Sequence, residues 1–179
     1  MPTPANRHRP DHYRPRQPRG RTIHKHGDTM TYSTSAHTGL PDPDLDRQFY
    51  EGVPSRRFLA WLFDGAITFA ITLLLSLVSF GVGFFFFPFI WLMTGFVYRS
   101  LTIAAASATP GMRLVGIELR DRSGARLSPG LALAHTALFS LASASGILQL
   151  VSAFLMLGSR YGQGLHDMIL GTTAINSPA

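Results

Sequence analysis

A run of 23 residues, from Phe58 to Phe80, constrains most strongly how this chain can fold. The run contains one ionisable side chain, Asp64, and no proline. About 20 mostly apolar residues are enough for a helix to cross a hydrocarbon core roughly 30 Å thick. We therefore predict a first transmembrane helix over about residues 58–80.

Asp64 gives this predicted helix a polar side. At 100° per residue, Arg57 and Asp64 lie about 20° apart around the helix axis. A charge at the centre of a bilayer costs at least ~2.5 kcal/mol, so Asp64 must face protein, water or a partner. Two interpretations stay open, an ion or proton site and a structural anchor between helices. Four hydroxyl side chains continue this face and suit either helix packing or an ion path: Thr68, Thr72, Ser76 and Ser79.

A second apolar block covers about residues 84–103. Only Gly81–Gly83 separates it from the first block, so the two blocks are predicted to form an antiparallel helical hairpin. Arg99 lies near the end of the second block, and we expect its long side chain to extend to the lipid headgroups.

Residues 104–130 are predicted to leave the membrane as a loop. The sequence Thr-Pro-Gly at 109–111 indicates a turn, and in Met112–Arg120 apolar residues at 115, 117 and 119 alternate with others, which is typical of a strand. Residues 125–128 are expected to pair back on that strand as a small hairpin.

The third apolar block, residues 131–157, is expected to be one long helix. Gly146 permits a bend, but two separate spans would each be too short to cross. His135 is the only ionisable residue of the block. It lies at nearly the same predicted depth as Asp64, so we expect these two side chains to pair, with Arg57 closing the cytoplasmic end.

Residues 1–48 form an N-terminal arm that is predicted to be disordered, because its Pro, Arg, His and Ser content cannot form a core. Residues 1–30 hold seven Lys or Arg against two Asp, so most of the net charge of +6 belongs to the arm. Its basic part, residues 1–28, favours anionic lipid headgroups, and nucleic acid is an unlikely partner. Met30 is an alternative start. The histidines of the arm are expected to be solvated and to bind no metal.

The predicted fold is therefore an all-α integral membrane protein with three transmembrane helices. Lys and Arg concentrate in the arm and in the 104–130 loop, which places both on the cytoplasmic side of a bacterial cytoplasmic membrane. Cysteine is absent from the sequence, which excludes disulfides and thiolate chemistry. No catalytic residue set, cofactor site or metal site is predicted, so we do not expect an enzyme.

Three blocks of the sequence resemble the RDD family of small bacterial membrane proteins. They are RFLAWLFD at 57–64, TPGMRLVGIELRD at 109–121 and LHDMILGT at 165–172. The family is named for one arginine and two aspartates. The resemblance assigns these residues to Arg57, with Arg56 as an alternative, and to Asp64 and Asp167, and it defines a membrane domain over 49–175 followed by a tail at 176–179.

Two positions depart from the family pattern. Met112 stands where the loop motif usually has Lys, and His135 stands where the third span often has Arg. The resemblance implies a transport-related role and no specific substrate. We therefore expect an ion- or proton-coupled transport function centred on Asp64, with His166 and Asp167 as further polar candidates.

The alternative is a non-catalytic membrane scaffold that binds partner proteins through its loop and arm. Three spans enclose little space, so transport is expected to need a homo-oligomer or a membrane partner.

Overall fold

The computed structural model describes residues 39–177 as a mostly helical protein with one small two-stranded sheet. Two long helices form a hairpin, and the shorter helices and the sheet pack against it or against each other. The elements in chain order are α1 (Val53–Val78), α2 (Phe87–Ala106), α3 (Pro110–Leu114), β1 (Ile117–Arg120), α4 (Pro129–Ser145), α5 (Ile147–Gly158), α6 (Leu165–Leu170) and β2 (Thr173–Asn176).

Local sequence signals fix the ends of the long helices. Pro54 lies in the first turn of α1 and Pro88 in the first turn of α2, where a missing N–H group costs least. Gly81 follows α1 with φ of 86°, a left-handed conformation that favours glycine. The predicted pair of apolar helices joined by a short turn is confirmed, and the two helices contact each other directly.

The outer surface of the long helices is apolar. On α1 the large side chains Phe58, Trp61 and Leu74 are all exposed, whereas the buried positions include Asp64 and Thr68. This arrangement is the reverse of a protein in water and suits a hydrocarbon surrounding. By length and composition α1 and α2 can each cross a membrane.

The prediction of one continuous third helix is wrong. The chain breaks at Gly146, whose φ is 64°, and α4 and α5 meet at an angle of 116°. Together α4 and α5 form a third membrane crossing only if they act as a single span that is bent at Gly146. The described residues therefore provide two or three candidate spans. The sequence permitted this break, but the length argument favoured a single helix.

The predicted strand exists over Ile117–Arg120, but its expected partner is wrong. It pairs antiparallel with Thr173–Asn176, and the predicted return segment contributes only an isolated bridge from Arg126 to Arg120. Met112 belongs to the short helix α3 and not to the strand. The sheet thus connects the loop to the tail of the chain.

The arm prediction is wrong for its last residues, 39–48, and its remainder lies outside the described residues. Leu40 and Phe49 are buried, and the Tyr50 hydroxyl donates to the Pro41 carbonyl at 2.9 Å. The Gly39 N–H donates to the Arg122 carbonyl at 2.9 Å, so this segment packs against the loop.

Candidate functional site

Asp64 lies at the centre of a buried cluster that joins α1, α2 and α3. Its Oδ1 atom accepts hydrogen bonds from the Tyr98 hydroxyl and the Gly111 N–H, each at 2.9 Å. Its Oδ2 atom accepts from the Thr109 hydroxyl at 2.6 Å, and Arg99 Nη2 lies 3.4 Å from the same oxygen. Four donors therefore converge on one carboxylate, two from α2 and two from the α3 segment, and these contacts hold both segments against α1.

The Thr-Pro-Gly turn has a specific role in this cluster. The Thr109 hydroxyl accepts a hydrogen bond from the Met112 N–H at 3.1 Å and so caps α3, while it donates to Asp64. Gly111 has no room for a side chain, because a Cβ atom would lie 2.5 Å from the Ala60 carbonyl oxygen and 2.7 Å from Asp64 Oδ1. The turn must therefore present a threonine and a glycine to Asp64.

Arg99 does not extend to lipid headgroups, so that prediction is wrong. Its side chain is buried, and its guanidinium carbon lies 4.2 Å from the centre of the Phe139 ring. This geometry combines a cation–π contact with the ion pair to Asp64. The opposite charge of Asp64 offsets part of the cost of burying Arg99.

A second buried cluster surrounds Asp167 and joins α1, α4 and α6. Arg57 Nη2 lies 2.5 Å from Asp167 Oδ2, and His135 Nε2 lies 3.0 Å from Oδ1. Asp167 is 0% exposed. Arg57 and Asp167, which the resemblance identifies as the arginine and one of the two aspartates of the family name, therefore form an ion pair.

Asp167 also stabilises its own helix. Its Oδ2 atom accepts from the Gly164 N–H at 3.0 Å, which caps the first turn of α6. Its Oδ1 atom accepts from the Thr172 hydroxyl at 2.9 Å. A negative charge in the first turn also complements the helix dipole.

His166 completes this second cluster. Its ring lies edge-on to that of His135, with 4.7 Å between the centroids. Its Nε2 atom lies 3.4 Å from Arg57 Nη2 and 3.7 Å from Asp167 Oδ2. His166 and its neighbour Asp167 therefore lie within ion-pair distance of each other but form no direct hydrogen bond. The Nδ1 atoms of His135 and His166 are both buried without a hydrogen-bond partner among the described residues.

The predicted pair of Asp64 and His135 is therefore wrong. His135 bonds Asp167, and Asp64 is enclosed by Tyr98, Thr109 and other donors from α2 and α3. Similar depth in two helices does not decide which side chains meet, because short segments fill the space between the helices. The signal in the sequence that points to the actual partners is the Thr-Pro-Gly turn, whose threonine hydroxyl and glycine N–H bond Asp64.

The polar stripe on α1 follows the predicted face. Thr68, Thr72 and Ser76 are buried, and Ser79 is half-buried. Each hydroxyl donates to a carbonyl of its own helix three or four residues earlier, for example Thr72 to Thr68 at 2.8 Å. The hydroxyl hydrogens are therefore engaged within α1, an arrangement that favours the packing interpretation of this stripe.

The two titratable groups on α6 predict a loss of stability in acid. Burial lowers the pKa of His166 from 6.5 to about 3. Burial alone raises the pKa of Asp167, but Arg57 and the hydrogen bond from His135 overcome this and hold that pKa well below 3.8. Both groups bind fewer protons in the folded than in the unfolded protein, so stability decreases as pH falls.

We expect the melting temperature to fall as the pH decreases below about 6.5, where unfolded His166 gains a proton, and to fall further below about 3.8 because of Asp167. Thermal unfolding in detergent across this range measures the effect. His166→Gln should flatten the upper part of the profile. An unchanged melting temperature from about pH 7 to about pH 4 would contradict the prediction.

Comparison with known proteins gives one match. The sequence model of the RDD family matches residues 52–171, a range that contains Asp64, Asp167 and all their described partners except Thr172. Neither the curated proteins nor the solved structures give a significant match.

Proposed function

We propose, from the premise that this chain belongs to the RDD family, that it is a membrane protein associated with ion- or proton-coupled transport. One observation carries the proposal, a set of six ionisable side chains buried among helices whose outer surface is apolar. These residues are Arg57, Asp64, Arg99, His135, His166 and Asp167.

Buried charges of this kind are expensive to maintain. Replacing a buried ion pair by apolar residues is often neutral or stabilising, so stability alone is a weak reason for the pairs at Asp64 and Asp167. In membrane segments, ionisable residues commonly mark ion or proton pathways. The two clusters are therefore the groups that we expect to respond to an ion or a proton.

The second candidate function is a membrane scaffold, and one observation favours it. Every carboxylate oxygen of Asp64 and Asp167 already accepts from a protein donor. A cavity of about 100 Å³ is lined by His166, but neither it nor a second cavity of about 70 Å³ reaches Asp64. Transport would therefore require these clusters to open, with a second copy or a membrane partner completing the pathway.

Reconstitution of the purified protein in liposomes with ion- and pH-sensitive dyes separates the two candidates. We expect cation-dependent proton movement in the wild type and its loss in Asp64→Asn. Asp44→Asn is the matched control, because Asp44 also pairs with an arginine, Arg160, but at the exposed surface. Flux that persists in a correctly assembled Asp64→Asn protein, or no flux in the wild type, would favour the scaffold.

We also propose that the protein lies in the bacterial cytoplasmic membrane with its arm and its 104–130 loop on the cytoplasmic side. The support is the concentration of Lys and Arg in these segments. In this orientation the basic arm would face anionic lipid headgroups.

Single cysteines test this orientation, because the native sequence has none. Ala125→Cys in the loop should be protected from a membrane-impermeant thiol reagent in intact cells, and Phe85→Cys in the turn should react. Both native side chains are exposed. Gly83 is unsuitable, because a Cβ atom there would lie 2.7 Å from Ser76 Cα. The reverse labelling pattern would overturn the proposed orientation.

A further inference from the structure

We propose that His135, His166 and Asp167 form a binding site for a divalent transition-metal ion such as Zn²⁺, and that Arg57 takes the place of the metal when the site is empty. This inference goes beyond the proposed function. It concerns binding by the purified protein and holds whether or not any ion is transported.

The spacing of the three side chains fits such an ion. One ligand atom from each lies within 4.8 Å of the other two. His135 Nε2 is 3.0 Å from Asp167 Oδ1, and His166 Nε2 is 3.7 Å from Asp167 Oδ2. A tetrahedral Zn²⁺ with bonds of about 2.1 Å holds its ligand atoms roughly 3.4 Å apart. Small side-chain movements would complete the geometry, provided that Arg57 leaves Asp167 and that His135 Nε2 loses the proton it donates to Oδ1.

The chemistry of the ligands selects the class of metal. Two imidazoles and one carboxylate suit Zn²⁺ and similar transition metals, whereas Mg²⁺ and Ca²⁺ prefer oxygen ligands alone. Three protein ligands also leave a fourth position for water or another ligand. The site therefore differs from the cluster at Asp64, where the described donors include no imidazole.

The two nitrogens of each ring differ in their surroundings, because the Nε2 atoms lie near Asp167 and the Nδ1 atoms do not bond it. His135 and His166 are each 2% exposed, yet the Nδ1 atom of each ring lacks a hydrogen-bond partner. Buried polar atoms almost always have partners, and either nitrogen of a neutral imidazole can bind a metal. A metal ion bonds one nitrogen of each ring, here the Nε2 atoms that lie near Asp167, so the support for the site is the spacing of the three side chains.

Arg57 lies against two of the three proposed ligands. Its Nη2 atom is 2.5 Å from Asp167 Oδ2 and 3.4 Å from His166 Nε2, so it contacts two of the three ligands. Its Nη1 atom lies 3.4 Å from the Gly162 carbonyl, an acceptor outside the metal site. The guanidinium supplies the positive charge that a metal would supply, and the two cations therefore compete for Asp167.

The test measures Zn²⁺ binding by calorimetry and Co²⁺ binding by visible absorption, on the full chain in detergent. Arg57→Gln removes the competing charge and should bind either metal at least about tenfold more tightly than the wild type. The matched control is Arg56→Gln, whose parent side chain is adjacent but exposed, and it should bind as the wild type does. Zn²⁺ should also raise the melting temperature of Arg57→Gln.

A double variant removes both histidine ligands and measures the metal binding that remains from the five histidines at positions 8, 12, 24, 26 and 37. His135→Gln/His166→Gln should keep only the binding that those residues provide. The inference is overturned if this variant binds as the wild type does, or if Arg57→Gln binds no more tightly than Arg56→Gln. Should Arg57→Gln fail to fold, the wild type decides. The site is supported if the wild type shows a Co²⁺ absorption band that His166→Gln abolishes. The site is overturned if the wild type shows no such band.

Discussion

Asp167→Asn is expected to destabilise the protein by about 3–5 kcal/mol, because it leaves the buried Arg57 guanidinium without an anion. The asparagine retains the shape of the side chain but supplies one acceptor atom instead of two. It therefore cannot satisfy both Arg57 and His135. Chemical unfolding in mixed micelles measures the loss.

Asp44→Asn is again the matched control, because it breaks an Asp–Arg pair in which both side chains are about two-thirds exposed. Exposed pairs contribute little, so we expect no measurable change. Arg57→Gln/Asp167→Asn should lose less stability than the two single changes added together, since the unpaired charge is removed. Equal stability of Asp167→Asn and Asp44→Asn would show that the buried pair has no structural role.

Gly111→Ala is the second large effect, with an expected loss of about 1–3 kcal/mol from overpacking. The added methyl group would lie 2.5 Å from the Ala60 carbonyl oxygen and 2.7 Å from Asp64 Oδ1. Relieving this contact moves α3 away from α1 and lengthens the hydrogen bond from the Gly111 N–H to Asp64. The melting temperature of the purified protein gives the measurement.

Gly130→Ala is the control for this change. It adds the same methyl group at a position in α4 where, apart from the neighbouring residues and the backbone of the helix itself, no atom lies within 4 Å of it. Alanine is a better helix former than glycine, so stability should be unchanged or slightly increased. If Gly111→Ala and Gly130→Ala change the stability equally, the close contact of Gly111 with α1 is not the reason that the turn has a glycine at this position.

The long helices could be predicted from the sequence because their signals are local. An apolar run of sufficient length gives α1, and the 100° rotation per residue places Arg57, Asp64 and Thr68 on one buried face. The turn at Gly81 follows from its composition. None of these conclusions depends on which segments the helix packs against.

The partners of the buried charges could not be predicted, because they depend on segments distant in the sequence. Arg57 meets Asp167 only because α6 packs back against α1 and α4, and β1 pairs with a strand more than 50 residues later. Periodicity carries no information on such contacts. Depth along a helix gave a wrong partner for Asp64, since Thr109 and Gly111 return from the loop to occupy its surroundings.

The long sequence separation within the Asp167 cluster has a consequence for biosynthesis. Arg57 and His166 are 109 positions apart, and the carboxylate that pairs with Arg57 follows His166 directly. At about 5–20 residues per second, a ribosome adds this stretch in roughly 5–20 s. The whole of α1, which ends at Val78, is thus synthesised well before the anion for its arginine. Nascent α1 must therefore hold Arg57 in water or among headgroups, and the cluster closes only after α6 emerges.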